Sequence, residues 1–87
     1  PEPLILLKNV SINKARLVGS GHISCFLGSS LGGSLKAIAF RCADNNLGQA
    51  MLNNQNCLFD VVGQIKTVVW QGRKTIQMII TDLRRVD

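Results

Sequence analysis

Val61-Val62-Gly63-Gln64-Ile65-Lys66-Thr67-Val68-Val69-Trp70-Gln71-Gly72-Arg73-Lys74-Thr75-Ile76-Gln77-Met78-Ile79-Ile80-Thr81 is the stretch that decides how this chain folds. Two runs rich in β-branched residues flank Gln71-Gly72, a two-residue hairpin turn in which Gly supplies a positive φ. That turn sets Trp70 opposite Arg73, Lys66 opposite Gln77, Ile65 opposite Met78 and Gly63 opposite Ile80. Val61, Gly63 and Ile65 then share one face with Ile76, Met78 and Ile80. Val62, Gln64, Lys66 and Trp70 share the other with Arg73, Gln77 and Thr81. A slip of one residue would mix the two sets, so the pattern specifies its own register.

Outward from the hairpin, the fourth strand reaches back to Cys57 and the fifth runs on to about Arg84. Arg84-Arg85 reads as a solvated tail or an exit into a further segment. Upstream, Leu4 to Val18 is a long first strand whose alternation is broken by Asn9, Asn13 and Lys14, which predicts a bend or bulge. Gly19-Ser20-Gly21 turns the chain into a second strand, His22 to Leu27. A Gly/Ser loop, Gly28 to Gly33, leads to a third, Ser34 to Arg41. Ala43 to Leu52 is the one helical candidate, with Asp44 as cap and Leu47, Ala50 and Met51 on one face; Gly48 weakens it.

The resulting order is β-β-β-α-β-β, all-β with one short helix. In a basic chain this predicts a five-stranded Greek-key barrel of the OB type. An SH3-like barrel is the rival, but it lacks the helix between the third and fourth strands. The chain has 87 residues, enough for one modest core. Pro1-Glu2-Pro3, without an initiator Met, reads as the end of an upstream linker. Residues 4–87 then form a single OB-fold domain of a larger protein.

Ten Lys and Arg against five Asp and Glu give net +5 and a pI near 9.7. Apolar runs reach only four residues, such as Leu4 to Leu7, against the about 20 of a membrane-spanning helix. No charged segment leads into an apolar one as in a secretory signal. An odd number of cysteines, Cys25, Cys42 and Cys57, argues for reduced, buried thiols in a cytosolic compartment. His22-x-x-Cys25 has metal-like spacing, but on a strand its members point to opposite faces.

Catalysis finds little here. Glu2, Asp44, Asp60, Asp82 and Asp87 are scattered, there is one His to serve any nucleophile, and no phosphate-cradling glycine motif is present. By itself the chain is expected to have no catalytic residues and no metal. Binding is better supplied. OB barrels hold single-stranded nucleic acid with a basic groove for phosphates and flat side chains for bases. The last hairpin offers Trp70, Arg73, Lys66 and Gln77, with Lys74 at the turn. Trp70 either stacks a base or caps the barrel end with Arg73 against it. If Leu27 pairs Leu35, then Ile23, Cys25, Leu27, Leu35, Ala37 and Ala39 face inward. His22, Phe26, Lys36, Ile38 and Phe40 face outward. Volume nevertheless favours a bulge that turns Phe40 into the core, since two alanines fill a core poorly. Phe26 is the better outward aromatic. His22 reads as a turn histidine beside Gly21 more readily than as a ligand. Arg16 adds charge.

Pro1-Glu2-Pro3-Leu4, Val18-Gly19-x-x-His22, Leu35-Lys36-Ala37-Ile38-Ala39-Phe40, and Trp70-x-Gly72-Arg73 running into Ile76-Gln77-Met78-x-Ile80-x-Asp82-Leu83 resemble the OB-fold domain of the RecJ family, over nearly the whole chain. Where that family's second strand usually alternates apolar with charged residues, Ser24 and Phe26 stand at the outward positions here. The resemblance implies a single-stranded DNA-binding module of a bacterial, cytoplasmic 5′-to-3′ single-strand-specific DNA exonuclease, a hydrolase of DNA repair and recombination. It implies that a divalent metal, Mg or Mn, is held by catalytic domains upstream and that this module carries none. Single-stranded DNA and those catalytic domains are the expected partners, with single-strand-binding protein as a further one and no membrane. Two other readings stand beside it. One is a protein-docking barrel. The other is an OB module of a different nucleic-acid enzyme, such as a polymerase subunit or a tRNA synthetase.

Overall fold

A computed structural model describes residues 3–54 and 56–86. It contains β1 (Ile5–Val18), β2 (His22–Gly28), β3 (Ser34–Ala39), α1 (Asn46–Leu52), β4 (Leu58–Trp70) and β5 (Arg73–Val86). The strands close into a barrel in the order β1-β2-β3-β5-β4, with β4 returning to β1. Every pairing is antiparallel except that of β3 with β5. This is the five-stranded OB-type barrel that the element order predicts.

β1 serves two neighbours. Ile5 to Ser11 pairs with β4, and Ser11 to Val18 pairs with β2. The expected bends are where the polar residues break the alternation. Register shifts fall between Leu7 and Val10 and between Asn13 and Arg16, and Asn9 and Lys14 take positive φ angles of 57° and 55°. The first bend turns the Asn9 backbone N–H onto Asp60 Oδ1 at 3.1 Å.

The β4–β5 hairpin has the register read from its turn, pair for pair from Trp70–Arg73 to Gly63–Ile80. Both turn residues have positive φ, Gln71 at 49° and Gly72 at 77°, the requirement of a type I′ turn. Beyond Gly63 the register shifts, because Val62 pairs with Asp82 and Thr81 is the extra residue. The Thr81 hydroxyl donates to the Val62 carbonyl at 3.1 Å. Ile76 has the expected face but is 58% exposed. It lies on the part of the hairpin that outruns the barrel, past the last β3–β5 pair, Lys36–Gln77.

Ile23, Cys25, Met51, Phe59, Val61 and Met78 fill the core. Phe40 does not join them and is 51% exposed. The β2–β3 pairing runs without a bulge from Gly28–Ser34 to Ile23–Ala39. Ala37 and Ala39 are therefore the inward residues, both fully buried. Volume is conserved across strands: small Ala37 lies beside large Met78 in the parallel pair, and Phe59 comes in from β4. Cys25 and Cys42 are buried, whereas Cys57 is only half-buried. Burial pushes the Cys25 thiol up to about 11, with a smaller contribution from Cys42, which leaves it protonated and inert near neutral pH.

Two termini of elements differ from expectation. Asn45, not Asp44, caps α1: its Oδ1 accepts the Gly48 N–H at 3.1 Å. Ala43 to Asn45 instead form the turn into the helix, where Gly21 O accepts both Cys42 N and Ala43 N. Arg84 and Arg85 are not a tail but part of β5, opposite Asp60 and Phe59. The Arg84 guanidinium reaches Asp60 Oδ2 at 3.3 Å, with its side chain 81% exposed, so the pair contributes little net stability. Among the described residues no helix is long and apolar enough to cross a membrane.

Candidate nucleic-acid interface

Successive residues of a strand point to opposite sides, so the core residues of β2, β3 and β5 identify the outward ones. Register then lines these up in rows across the sheet. Asn13 pairs Phe26, Phe26 pairs Lys36, Lys36 pairs Gln77, and Gln77 pairs Lys66. One row thus crosses all five strands: an amide, an aromatic ring, a cation, an amide and a cation. The adjacent row is Arg16, Ser24, Ile38, Ile79 and Gln64. Its centre is a pair of half-buried isoleucines, a flat apolar floor between polar ends.

The hairpin continues this face beyond the barrel. Lys36, Val68, Trp70, Gln71, Arg73, Thr75 and Gln77 line an open concavity of about 460 Å³. Trp70 is 70% exposed there, which excludes the reading in which it is a buried cap. Arg73 stands opposite Trp70 and is exposed as well. An exposed indole, a guanidinium and an ammonium around one hollow are the chemistry that takes a base and its phosphates.

Of the residues singled out in the sequence, Trp70, Arg73, Lys36 and Gln77 come together around this hollow, and Phe26 and Lys66 adjoin it as the strand partners of Lys36 and Gln77. Arg16 belongs to the neighbouring row, at its β1 end. Lys74 does not join them: it pairs Val69 and so projects from the other side of the hairpin. His22 lies at the far end of β2. Its Nδ1 accepts the Arg41 backbone N–H at 3.0 Å, and its ring meets Phe40 edge-on at 5.2 Å. That geometry makes it the fastener of the chain leaving β3, in line with a turn histidine. Val68, Thr75, Ile79 and Asn13 share the face and were not singled out. Val68 and Thr75 were legible, since the hairpin register already places them between Lys66 and Trp70 and between Gln77 and Arg73.

Charge is distributed unevenly. Lys36, Lys66, Arg73 and Arg16 mark this face, and none of the described carboxylates, Asp44, Asp60 and Asp82, belongs to either row. Asp60 and Asp82 line a separate hollow with Leu6, Lys8, Val62 and Arg84. The described residues contain no group of three or more His, Cys, Asp or Glu that could hold a metal ion.

A family model described as the RecJ OB domain matches residues 1–82 of the chain. Among solved structures, the crystal structure of a mitochondrial single-stranded DNA binding protein from S. cerevisiae is similar in fold, with a TM-score of 0.65 at 12% identity over 99% of this chain and 95% of that one. No curated protein matches the sequence significantly.

Proposed function

The chain belongs to the RecJ OB domain family, and on that premise we propose that it is the single-stranded DNA-binding module of a RecJ-like, 5′-to-3′ single-strand-specific exonuclease of the bacterial cytoplasm. One observation carries the reading. The row Phe26–Lys36–Gln77–Lys66 shares Lys36 and Gln77 with the concavity of Trp70 and Arg73, so cations and flat side chains alternate from the paired strands into the hollow. A single strand laid on it would place phosphates on Lys36, Lys66 and Arg73 while its bases meet Phe26 and Trp70. The likeness to a mitochondrial single-stranded DNA binding protein supports the same ligand class by analogy of fold. The parent's divalent metal would belong to domains outside this chain, because no donor set for it exists among the residues described.

Fluorescence anisotropy of a labelled oligonucleotide against salt tests the proposal. With roughly three phosphates neutralised, the log–log slope should be about −2 for a single strand. Duplex of the same length should bind more weakly. A salt-independent affinity, or duplex bound as tightly, would overturn the groove. A second reading, a protein-docking barrel, is favoured by a separate hollow, where exposed Leu6 stands with Val62, Lys8 and Arg84. Salt-independent binding of a protein partner would select it.

The chain alone should not cleave DNA in the presence of Mg or Mn. Among the described residues no three His, Cys, Asp or Glu side chains converge to hold the cation that such cleavage needs. Cleavage of an end-labelled oligonucleotide that persists through repeated purification would contradict this.

A further inference from the structure

The Gly/Ser turn between β2 and β3 has no part in the rows described above, yet it holds the most exposed large apolar side chain among the described residues, Leu31, at 96%. The turn does not need a leucine. Gly32 N donates to Ser29 O at 3.0 Å and Leu31 N to Ser29 Oγ at 3.1 Å. Gly32 and Gly33 supply the positive φ angles, 96° and 86°. Any side chain could stand at the apex without altering these bonds.

Its position is informative. β3 and β5 are parallel neighbours with Lys36 beside Gln77. The two turns that feed them therefore lie at the same end of the barrel. From that pair, the last of the two strands, the β2–β3 turn ends three residues back at Gly33 and the Trp70–Arg73 pair stands four residues back at Arg73. Leu31 and Trp70 are thus two exposed apolar groups at one end of a face whose cations are Lys36, Lys66 and Arg73. Apolar side chains beside phosphate-binding cations can insert against unstacked bases.

Resting on the reading of this face as a single-strand groove, we propose that Leu31 is a second base-contacting residue, so that a strand leaving the row at Lys36 passes between Leu31 and Trp70. A base splayed off the strand packs on the leucine. A paired, stacked base offers it no surface, so the contact favours single strands over duplex.

The test compares the wild-type chain with Leu31→Ser, Leu31→Trp and Leu6→Ser, titrating a labelled oligothymidylate of about 16 nucleotides and a duplex of equal length. Leu31→Ser should melt like wild type, because its side chain is already in water. It should bind the single strand about fivefold more weakly, the loss expected if roughly half a leucine side chain is buried by the base, with duplex binding unchanged. Leu31→Trp should tighten single-strand binding. Leu6→Ser, at an exposed leucine outside both rows, should have no effect. If wild type and Leu31→Ser bind equally, or Leu6→Ser loses as much, the wedge is refuted while the groove stands. If wild type binds no single strand, both proposals fall.

Discussion

Trp70→Ala is expected to weaken single-stranded DNA binding by about 1–3 kcal/mol, roughly 5- to 150-fold, while leaving the melting temperature of the chain nearly unchanged. The two halves of this expectation have one cause. The indole is 70% exposed at the end of a hairpin that has outrun its barrel neighbours, so truncation removes little native packing. The same exposure leaves a full aromatic face for a base. Arg73, directly opposite, should behave differently. Arg73→Ala should also weaken binding, but should make the salt slope shallower by about 0.7, the share of one phosphate on a single strand. Anisotropy titrations at several salt concentrations, with thermal melts followed by circular dichroism, separate the two. A Trp70→Ala variant that melts early yet binds normally would return the residue to a structural role and remove the stacking platform.

The second large effect is one of stability. Gly48→Ala should destabilise the chain by about 3 kcal/mol, the upper end of the usual range for overpacking. Helix propensity by itself predicts the opposite sign, since Ala in place of a helical Gly gains up to about 1 kcal/mol. Space decides between them. A Cβ at position 48 would come within 2.7 Å of the Cys42 carbonyl carbon and closer still to its oxygen. Both are backbone atoms, and Cys42 is tied to Gly21 through its N–H and to Asn45 through that carbonyl. The turn cannot recede without breaking the hydrogen bonds that dock the helix. Chemical denaturation of Gly48→Ala beside Gly48→Ser would measure the cost. Equal or greater stability than wild type would show that the turn gives way freely.

Gly48 also illustrates where reading the chain reaches its limit. In sequence it is a defect in a weak helix; in the barrel it is the point where α1 comes against the chain leaving β3. Gly63 is similar, since a side chain there would crowd the Ile79 backbone carbonyl just where the hairpin register shifts.

What is local and periodic in this chain was legible from its residues. A two-residue turn with alternating flanks leaves one register for the last hairpin, so the face shared by Lys66, Trp70, Arg73 and Gln77 follows without a structure. The alternation broken at Asn9, Asn13 and Lys14 located the bends of β1, because an extra residue that fits neither the inward nor the outward set marks where a strand bulges. The order of elements then limited the fold to an OB-type barrel. What depends on strands meeting across the barrel was not legible there. Phe40 is outside because Met78 and Phe59, distant in sequence, already fill the space beside Ala37 and Ala39. Lys36 belongs with Gln77 because β3 and β5 pair in parallel, a contact no local pattern specifies. His22 fastens a turn because the chain returns to it at Arg41. Trp70 stands in solvent because β3 ends its pairing with β5 at Lys36, short of the hairpin tip. Burial is a sum over neighbours from every strand, whereas alternation records only which of two sides a residue takes.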